Sequence, residues 1–222
     1  MKNKIDKSSY FVALQGNYSG LSLALFNDRI LIAIRYYPET KASSYLIPYL
    51  DELLAEHRLT LQGLSFIAID RGPGAFTSLR VMLATVNGIA LTGKCPVIGV
   101  SGLDALSEEM KRQEPAIVDH QALILLNAYN NDCYYLFAPF INKISKENVY
   151  SGEILNNNNK MSKKKIGCLS LEDLLAEIKK ALIPGKKLFC SGNALSLHKK
   201  TIQEQLGSLT ELCFLTNELA SA

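Results

Sequence analysis

The chain has 222 residues, 48% of them hydrophobic, and carries a formal net charge of +3 at pH 7. This length and composition allow one large domain or two small ones with a sizeable apolar core. The mild charge neither requires nor excludes nucleic acid, because dedicated nucleic-acid-binding proteins usually concentrate their Lys and Arg in one stripe.

The five cysteines show neither CxxC nor any metal-ligand spacing, which favours reduced thiols over a disulfide framework. The N-terminal residues 1–10 are polar and basic and lack the apolar core of a signal peptide. No apolar run approaches the ~20 residues that a membrane helix needs. We therefore expect a soluble, cytoplasmic protein that does not bind a membrane.

The first predicted elements are three strands. Residues 11–14, 21–26 and 30–36 are short apolar runs separated by turn residues, which is typical of strands joined by tight turns. Three such strands should form an antiparallel meander.

A helix follows the meander. It has one apolar stripe, at Leu46, Leu50, Leu53 and Leu54. Ser43 or Ser44 can cap this helix. Pro48 must lie in or near its first turn, where a missing N–H does least harm.

A strand, a second helix and another strand come next. Residues 66–69 form an apolar run typical of a central strand covered on both faces. A glycine turn leads into a helix from about 77 to 92, and residues 96–99 predict one more strand. The predicted order of elements is therefore three meandering strands, a helix, a strand, a helix and a strand. This is the order of the ribonuclease-H-like half that builds actin-like folds.

The second half of the chain repeats this order loosely. Residues 122–126 and 133–137 predict a hairpin around an Asn-Asn-Asp turn, and a weak third strand is predicted near Val149.

Ser170 can cap a helix that runs to about Leu182, and a strand at 188–190 precedes a further helix. We therefore predict an α/β, actin-like and ribonuclease-H-like fold of two lobes, each a mixed sheet with a three-strand meander and flanking helices. The N-terminal lobe spans residues 1–114 and the C-terminal lobe residues 115–222.

The C-terminal lobe contains a polar insert. Asn156–Asn159 and Lys163–Lys165 form a low-complexity stretch that is typical of a solvated loop. Its lysines could alternatively contact RNA.

One glycine turn precedes the second helix. Gly72–Ala75 suits a type II turn with a positive φ at Gly74, and Thr77 can cap the helix that follows. A glycine turn at a helix N-terminus can also bind an anion, but the spacing matches neither GxGxxG nor the P-loop pattern.

The second helix is nearly free of charge. Its predicted sheet-facing residues are Leu79, Met82, Leu83, Val86, Ile89 and Ala90. Its opposite face carries the small or neutral residues Thr77, Val81, Ala84, Gly88 and Thr92. No charged residue occurs between Arg80 and Lys94, whereas a surface helix normally has a charged side.

Gly88 in mid-helix costs up to ~1 kcal/mol relative to Ala, which a close helix contact would offset. The helix is therefore either buried on both sides within its own fold or, as we favour, an interface for a second protein.

A catalytic constellation is missing from the sequence. His57, His120 and His198 are far apart and fit no metal motif, and we expect His57 and His198 to be solvated. Asp70 ends a central strand without a second acidic residue nearby, and the first turn, Gln15–Asn17, lacks the Asp of actin-like ATPases. We predict no catalytic, cofactor-binding or metal residues. The alternative, a stand-alone phosphotransferase or peptidase-like enzyme of the actin fold, would need such a cluster.

The segment RGPGAFTSLRVMLATVNGIAL, residues 71–91, and the following PVIGVSGLDAL resemble the TsaB (YeaZ) family. That family has an RGPGSFTGLRIG-type run and a PVVGVSSLEAL-type strand and turn. The similarity is specific over residues 45–106. In the second half only the glycine turn Cys190–Ala194 resembles the family.

The resemblance implies an actin-like fold and a role in forming threonylcarbamoyladenosine in tRNA. It implies a non-catalytic subunit that pairs with the catalytic homologue TsaD, is joined by the ATPase TsaE, and meets tRNA only within the complex. A homodimer through the same helices is a further expectation. The implied pairing surface comprises Arg71, Gly72, Pro73, Gly74, Phe76, Thr77, Arg80, Val81, Ala84 and Gly88, with Tyr45, Tyr49 and Glu52 beside them.

The sequence departs from the family pattern at three places. The usual Asp-Thr-Ser of the first turn is Gln15–Asn17, the His ahead of the first helix is Ala42, and an Asp-Ala-Arg is Asn127–Tyr129. These changes weaken the case for nucleotide binding but leave the second helix intact.

Overall fold

The computed structural model describes residues 9–16, 20–38, 45–139, 153–154 and 162–215. These residues form two compact units, the first ending at Gly102 and the second beginning at Leu103. None of the described helices is long and apolar enough to span a bilayer.

The first unit is a five-stranded sheet with two helices. Its strands are β1 (Tyr10–Gly16), β2 (Leu21–Asn27), β3 (Ile30–Tyr37), β4 (Phe66–Asp70) and β5 (Val97–Val100). Its helices are α1 (Leu46–Glu56) and α2 (Phe76–Gly93). The strand order is β3-β2-β1-β4-β5, with β1 antiparallel to β2 and parallel to β4. The predicted meander is confirmed, whereas the proposed caps Ser43 and Ser44 lie outside the described residues.

The two faces of this sheet differ. Val12, Leu14, Leu23 and Ile67 alternate along the strands and pack into one core with Leu53, Met82 and Val86 of the helices. On the other face Phe11 stacks on both Phe26 and Phe66, at centroid distances of 4.9 and 4.4 Å.

The second unit has a sheet of the same design. Its main strands are β6 (Gln121–Asn127), β7 (Asp132–Pro139), β10 (Lys165–Ser170), β11 (Leu188–Ser191) and β12 (Leu212–Phe214), and β8 (Glu153–Ile154) pairs with β9 (Ser162–Lys163). Its helices are α3 (Gly102–Gln113), α4 (Leu171–Ala181) and α5 (Leu195–Leu206). The strand order is β10-β7-β6-β11-β12. The predicted hairpin corresponds to β6 and β7, which pair antiparallel.

The unit boundary lies earlier than the predicted boundary between residues 114 and 115. Helix α3, which the sequence did not predict, lies between the two positions. Leu103 and Met110 of α3 are buried with Ile124 and Leu136 of the second sheet, so this packing assigns the helix to the second unit.

The predicted strand near Val149 lies outside the described residues. Among the described residues, β10 pairs antiparallel with β7 at one edge of the second sheet. The N-cap of α4 is confirmed, because Ser170 Oγ accepts a hydrogen bond from the backbone N–H of Asp173 at 3.2 Å. Asn156–Asn159 of the predicted insert lie outside the described residues, but Lys165 begins β10.

Candidate partner interface

The glycine turn before α2 differs from the predicted type II turn. The positive φ, +90°, belongs to Gly72 and not to Gly74, and the Gly72–Pro73 peptide is cis. The Gly72 N–H donates to Asp70 Oδ1 at 2.8 Å. The conformation of the turn therefore depends on the Asp70 carboxylate. The turn propensities of Pro73 and Gly74 alone do not take this hydrogen bond into account.

The start of α2 also differs from prediction. Ala75 is the N-cap and makes no side-chain capping bond, so the prediction that Thr77 caps the helix is wrong. Thr77 is the second residue of α2 and is exposed.

The predicted division of α2 into two faces is confirmed. Met82, Val86 and Ile89 are buried, and Leu79 and Leu83 pack partly against the same core. Thr77, Ala84, Gly88 and Thr92 on the opposite face are exposed. A Cβ built on Gly88 would meet no atom of the described chain within 4 Å. The alternative of a helix buried on both sides within its own fold is therefore wrong.

Two large apolar side chains mark the ends of this outer face. Phe76 is 69% exposed and Leu91 is 83% exposed. The Arg80 guanidinium lies 4.1 Å from the centroid of the Phe76 ring, a cation–π contact that partly screens the only charge on α2. Sequence reasoning missed Leu91, although its spacing of three residues from Gly88 places it on the outer face.

Helix α1 adds an aromatic and acidic border. Tyr49 stacks on Tyr37 of β3 with ring centroids 3.6 Å apart, and burial together with nearby Glu52 raises the pKa of Tyr37. Glu56 pairs with Arg35 of β3 at 2.6 Å. The outward side of α1 is thus acidic, whereas α2 presents only Arg80.

The residues implied by the resemblance fall into three groups by exposure. Those exposed to solvent are Arg71, Phe76, Thr77, Arg80, Ala84, Gly88, Tyr45 and Glu52. Those half-buried are Pro73, Gly74, Val81 and Tyr49. Gly72 is buried, because a Cβ there would lie 2.8 Å from Leu79 Cδ1. Gly72 therefore shapes the turn and offers little surface.

Asp70 ends β4 and lies beside the glycine turn, where its Oδ1 accepts a hydrogen bond from the Gly72 N–H. Its burial raises the pKa of the carboxyl above 3.8, although the hydrogen bonds with the Gly72 backbone and the Gln15 side chain oppose the shift. Among the described residues, no group of three or more His, Cys, Asp or Glu side chains could hold a metal ion.

Two histidine predictions are wrong. His198 is only 9% exposed, because α5 buries Leu195, His198 and Ile202 along one stripe. The Nε2 atom of His57 is buried with no hydrogen-bond partner in the described part of the chain. The spacing of His198 from Leu195 and Ile202 is a helical core pattern that the sequence did contain.

Two lysines of the predicted insert already have acidic partners. Lys164 forms an ion pair with Asp104, and Lys165 pairs with Glu177 at 3.3 Å. These pairs partly neutralise the charge that RNA contact would need.

A family model described as "TsaD: tRNA N6-adenosine threonylcarbamoyltransferase" matches residues 39–220. A relative named tRNA threonylcarbamoyladenosine biosynthesis protein TsaB, from Buchnera aphidicola subsp. Schizaphis graminum, is 24% identical over 203 residues, or 88% of each chain. This chain belongs to the TsaD family, as a TsaB (YeaZ)-type member.

Solved structures show the same fold. YeaZ from Pseudomonas aeruginosa superposes with a TM-score of 0.64 at 21% identity, covering 96% of this chain and 86% of that one. A Bacteroides thetaiotaomicron protein with an actin-like ATPase fold superposes with a TM-score of 0.50 at 8% identity, covering 97% and 94%. The predicted actin-like fold is therefore confirmed.

Proposed function

We propose that this chain works in the formation of threonylcarbamoyladenosine in tRNA, as a non-catalytic subunit. It pairs with a catalytic TsaD homologue through α2, the Arg71–Gly74 turn and the outer side of α1. TsaE binds to the pair, tRNA binds only to the assembled complex, and the reaction takes place in the cytoplasm. The TsaB name of the relatives and the TsaD description of the matching family model support the pathway.

The observation that carries the pairing is the outer face of α2. This face has small residues in its centre, large exposed apolar residues at both ends and one cation. A helix with an uncharged outer face is costly to leave in water but suits close packing against a second helix. The open space above Gly88 is where the backbone of a partner helix can approach closely.

A leucine at position 88 provides the test. Gly88→Leu places a large side chain where a partner helix would lie, while helix propensity favours Leu over Gly by up to ~1 kcal/mol. The variant monomer should therefore be at least as stable as wild type but should lose the partner. Co-expression with the TsaD of the same organism, followed by size-exclusion chromatography with light scattering, measures the pairing.

Ala176→Leu is the matched control, because Ala176 is an exposed residue of α4 in the second unit. The control variant should pair like wild type. A wild-type chain that stays monomeric beside TsaD would refute the proposal, and a Gly88→Leu variant that still pairs would move the interface elsewhere.

A further inference from the structure

The backbone of the turn before α2 is held by hydrogen bonds on two sides. The Arg71 N–H donates to the Val100 carbonyl at 2.8 Å, and the Gly72 carbonyl accepts from the Gly102 N–H at 2.9 Å. The Gly72 N–H donates to Asp70 Oδ1 at 2.8 Å. The turn is thus fixed to the end of β5 and to the first residue of α3, with the Asp70 carboxylate beneath it.

The space around Asp70 is closely filled. A Cβ on Gly102 would lie 3.1 Å from Asp70 Oδ1 and 3.4 Å from the Gly72 carbonyl oxygen. The Asp70 side chain therefore lies beside both Gly72 of the turn and Gly102.

The outward side of the turn depends on this arrangement. A Cβ on Gly99 would lie 2.4 Å from Arg71 Cδ, so the Arg71 stem crosses β5 at Gly99. Gly74 lies against the end of β1, where a Cβ would be 3.4 Å from the Gly16 carbonyl oxygen. A shift of the Gly72 backbone would move Arg71, Pro73 and the first turn of α2 together.

We propose that Asp70 is a positioning residue for partner binding, because its carboxylate holds the Gly72 N–H and so sets the placement of Arg71, Pro73 and Phe76 on the interface. This inference rests on the proposed pairing with a TsaD homologue. Asp70 itself is largely buried and does not meet the partner; it acts through the turn.

Two substitutions of similar size separate positioning from simple packing. Asp70→Asn retains a side-chain oxygen that can accept from the Gly72 N–H, whereas Asp70→Leu has none. Loss of a hydrogen bond to a charged acceptor should weaken partner binding by about tenfold or more. We expect Asp70→Leu to raise the Kd for TsaD by that factor and Asp70→Asn to stay within about threefold of wild type.

Amide hydrogen exchange adds a local readout. The Gly72 amide should exchange faster in Asp70→Leu than in Asp70→Asn, while amides of the second sheet exchange as in wild type. If Asp70→Leu does not fold, Asp70→Ala makes the same comparison, since it removes the acceptor without adding apolar bulk.

The two proposals fail in different ways. A wild-type chain that does not bind TsaD removes the proposed function and this inference with it. A wild-type chain that binds, with Asp70→Leu or Asp70→Ala binding equally well, removes the positioning role alone and leaves the interface standing.

Discussion

The two sheets share one strand order, yet they are covered differently. The second sheet has a buried core on each face, one built with α4 and α5 and the other with α3. The first sheet packs against α1 and α2 on one face. On the Phe11 face of the first sheet, Ile34 stays 52% exposed and Ile98 48% exposed. Among the described residues, the same topology thus gives a second sheet with helices on both faces and a half-open first sheet with helices on one face.

Helix α3 explains the difference. It follows the last strand of the first sheet in the chain, but Leu103 and Met110 bury themselves on the second sheet. The burial of β6 reflects this cover, since its residues 121–125 are all buried, whereas β1 alternates between buried and partly exposed positions. Helix α3 therefore belongs to the core of the second unit, although it directly follows the last strand of the first sheet in the chain.

The largest contrast between the units should be that between Gly192, in the turn after β11, and Gly88, in the middle of α2. Gly192 has a φ of +109°, and a Cβ there would lie 2.0 Å from the Leu125 carbonyl oxygen. Gly192→Ala should therefore cost more than about 4 kcal/mol of unfolding free energy, from backbone strain and overpacking. Chemical denaturation followed by far-UV circular dichroism measures this loss.

Gly88→Ala is the opposing control, because the site is open and helical, and it should raise stability by up to about 1 kcal/mol. Equal stability of Gly192→Ala and wild type would mean that the β11–α5 turn adopts another conformation in solution.

The second-largest contrast should be the loss of unfolding free energy when one apolar side chain is truncated on each sheet. Met110 is fully buried between α3 and the second sheet, so Met110→Ala should cost about 3 kcal/mol through lost burial and a residual cavity. Ile98→Ala on the half-open face should cost less than about 1 kcal/mol. Thermal and denaturant unfolding of both variants give the comparison. A loss at Ile98 as large as that at Met110 would contradict the exposure of this face of the first sheet.

The sequence predicted those features that local periodicity controls. The meander follows from short apolar runs, and the outer face of α2 follows from its lack of charge between Arg80 and Lys94. Both patterns lie within one element, so they can be derived without knowing its neighbours.

Features that depend on tertiary partners were missed. The strand β10 begins at a lysine and is only partly buried. Its composition is therefore a weak strand signal, and its pairing with β7 is what makes it a strand. The apolar stripe of α3 fits either sheet, and sequence alone does not say which. The glycine turn was misjudged because the Asp70 carboxylate, which bonds Gly72, is buried only in the folded chain.

The smallest expected contrast is in how the unfolding free energy depends on pH through the last residue of each fourth strand. These residues are Asp70 in β4 and Ser191 in β11. Burial raises the pKa of the Asp70 carboxyl above 3.8, so the folded state binds more protons than the unfolded state between the two pKa values. Stability must then fall as pH rises through that window and stay level above it.

Asp70→Asn should abolish this component, because Asn does not titrate. The unfolding free energy of wild type minus that of the variant should therefore decrease as the pH rises above about 4 and become constant above the raised pKa of Asp70. Ser191 is uncharged, so Ser191→Ala should leave the pH profile unchanged in shape. Parallel profiles for wild type and Asp70→Asn would show that Asp70 is solvated in the folded chain, and the turn would then lack its buried carboxylate support.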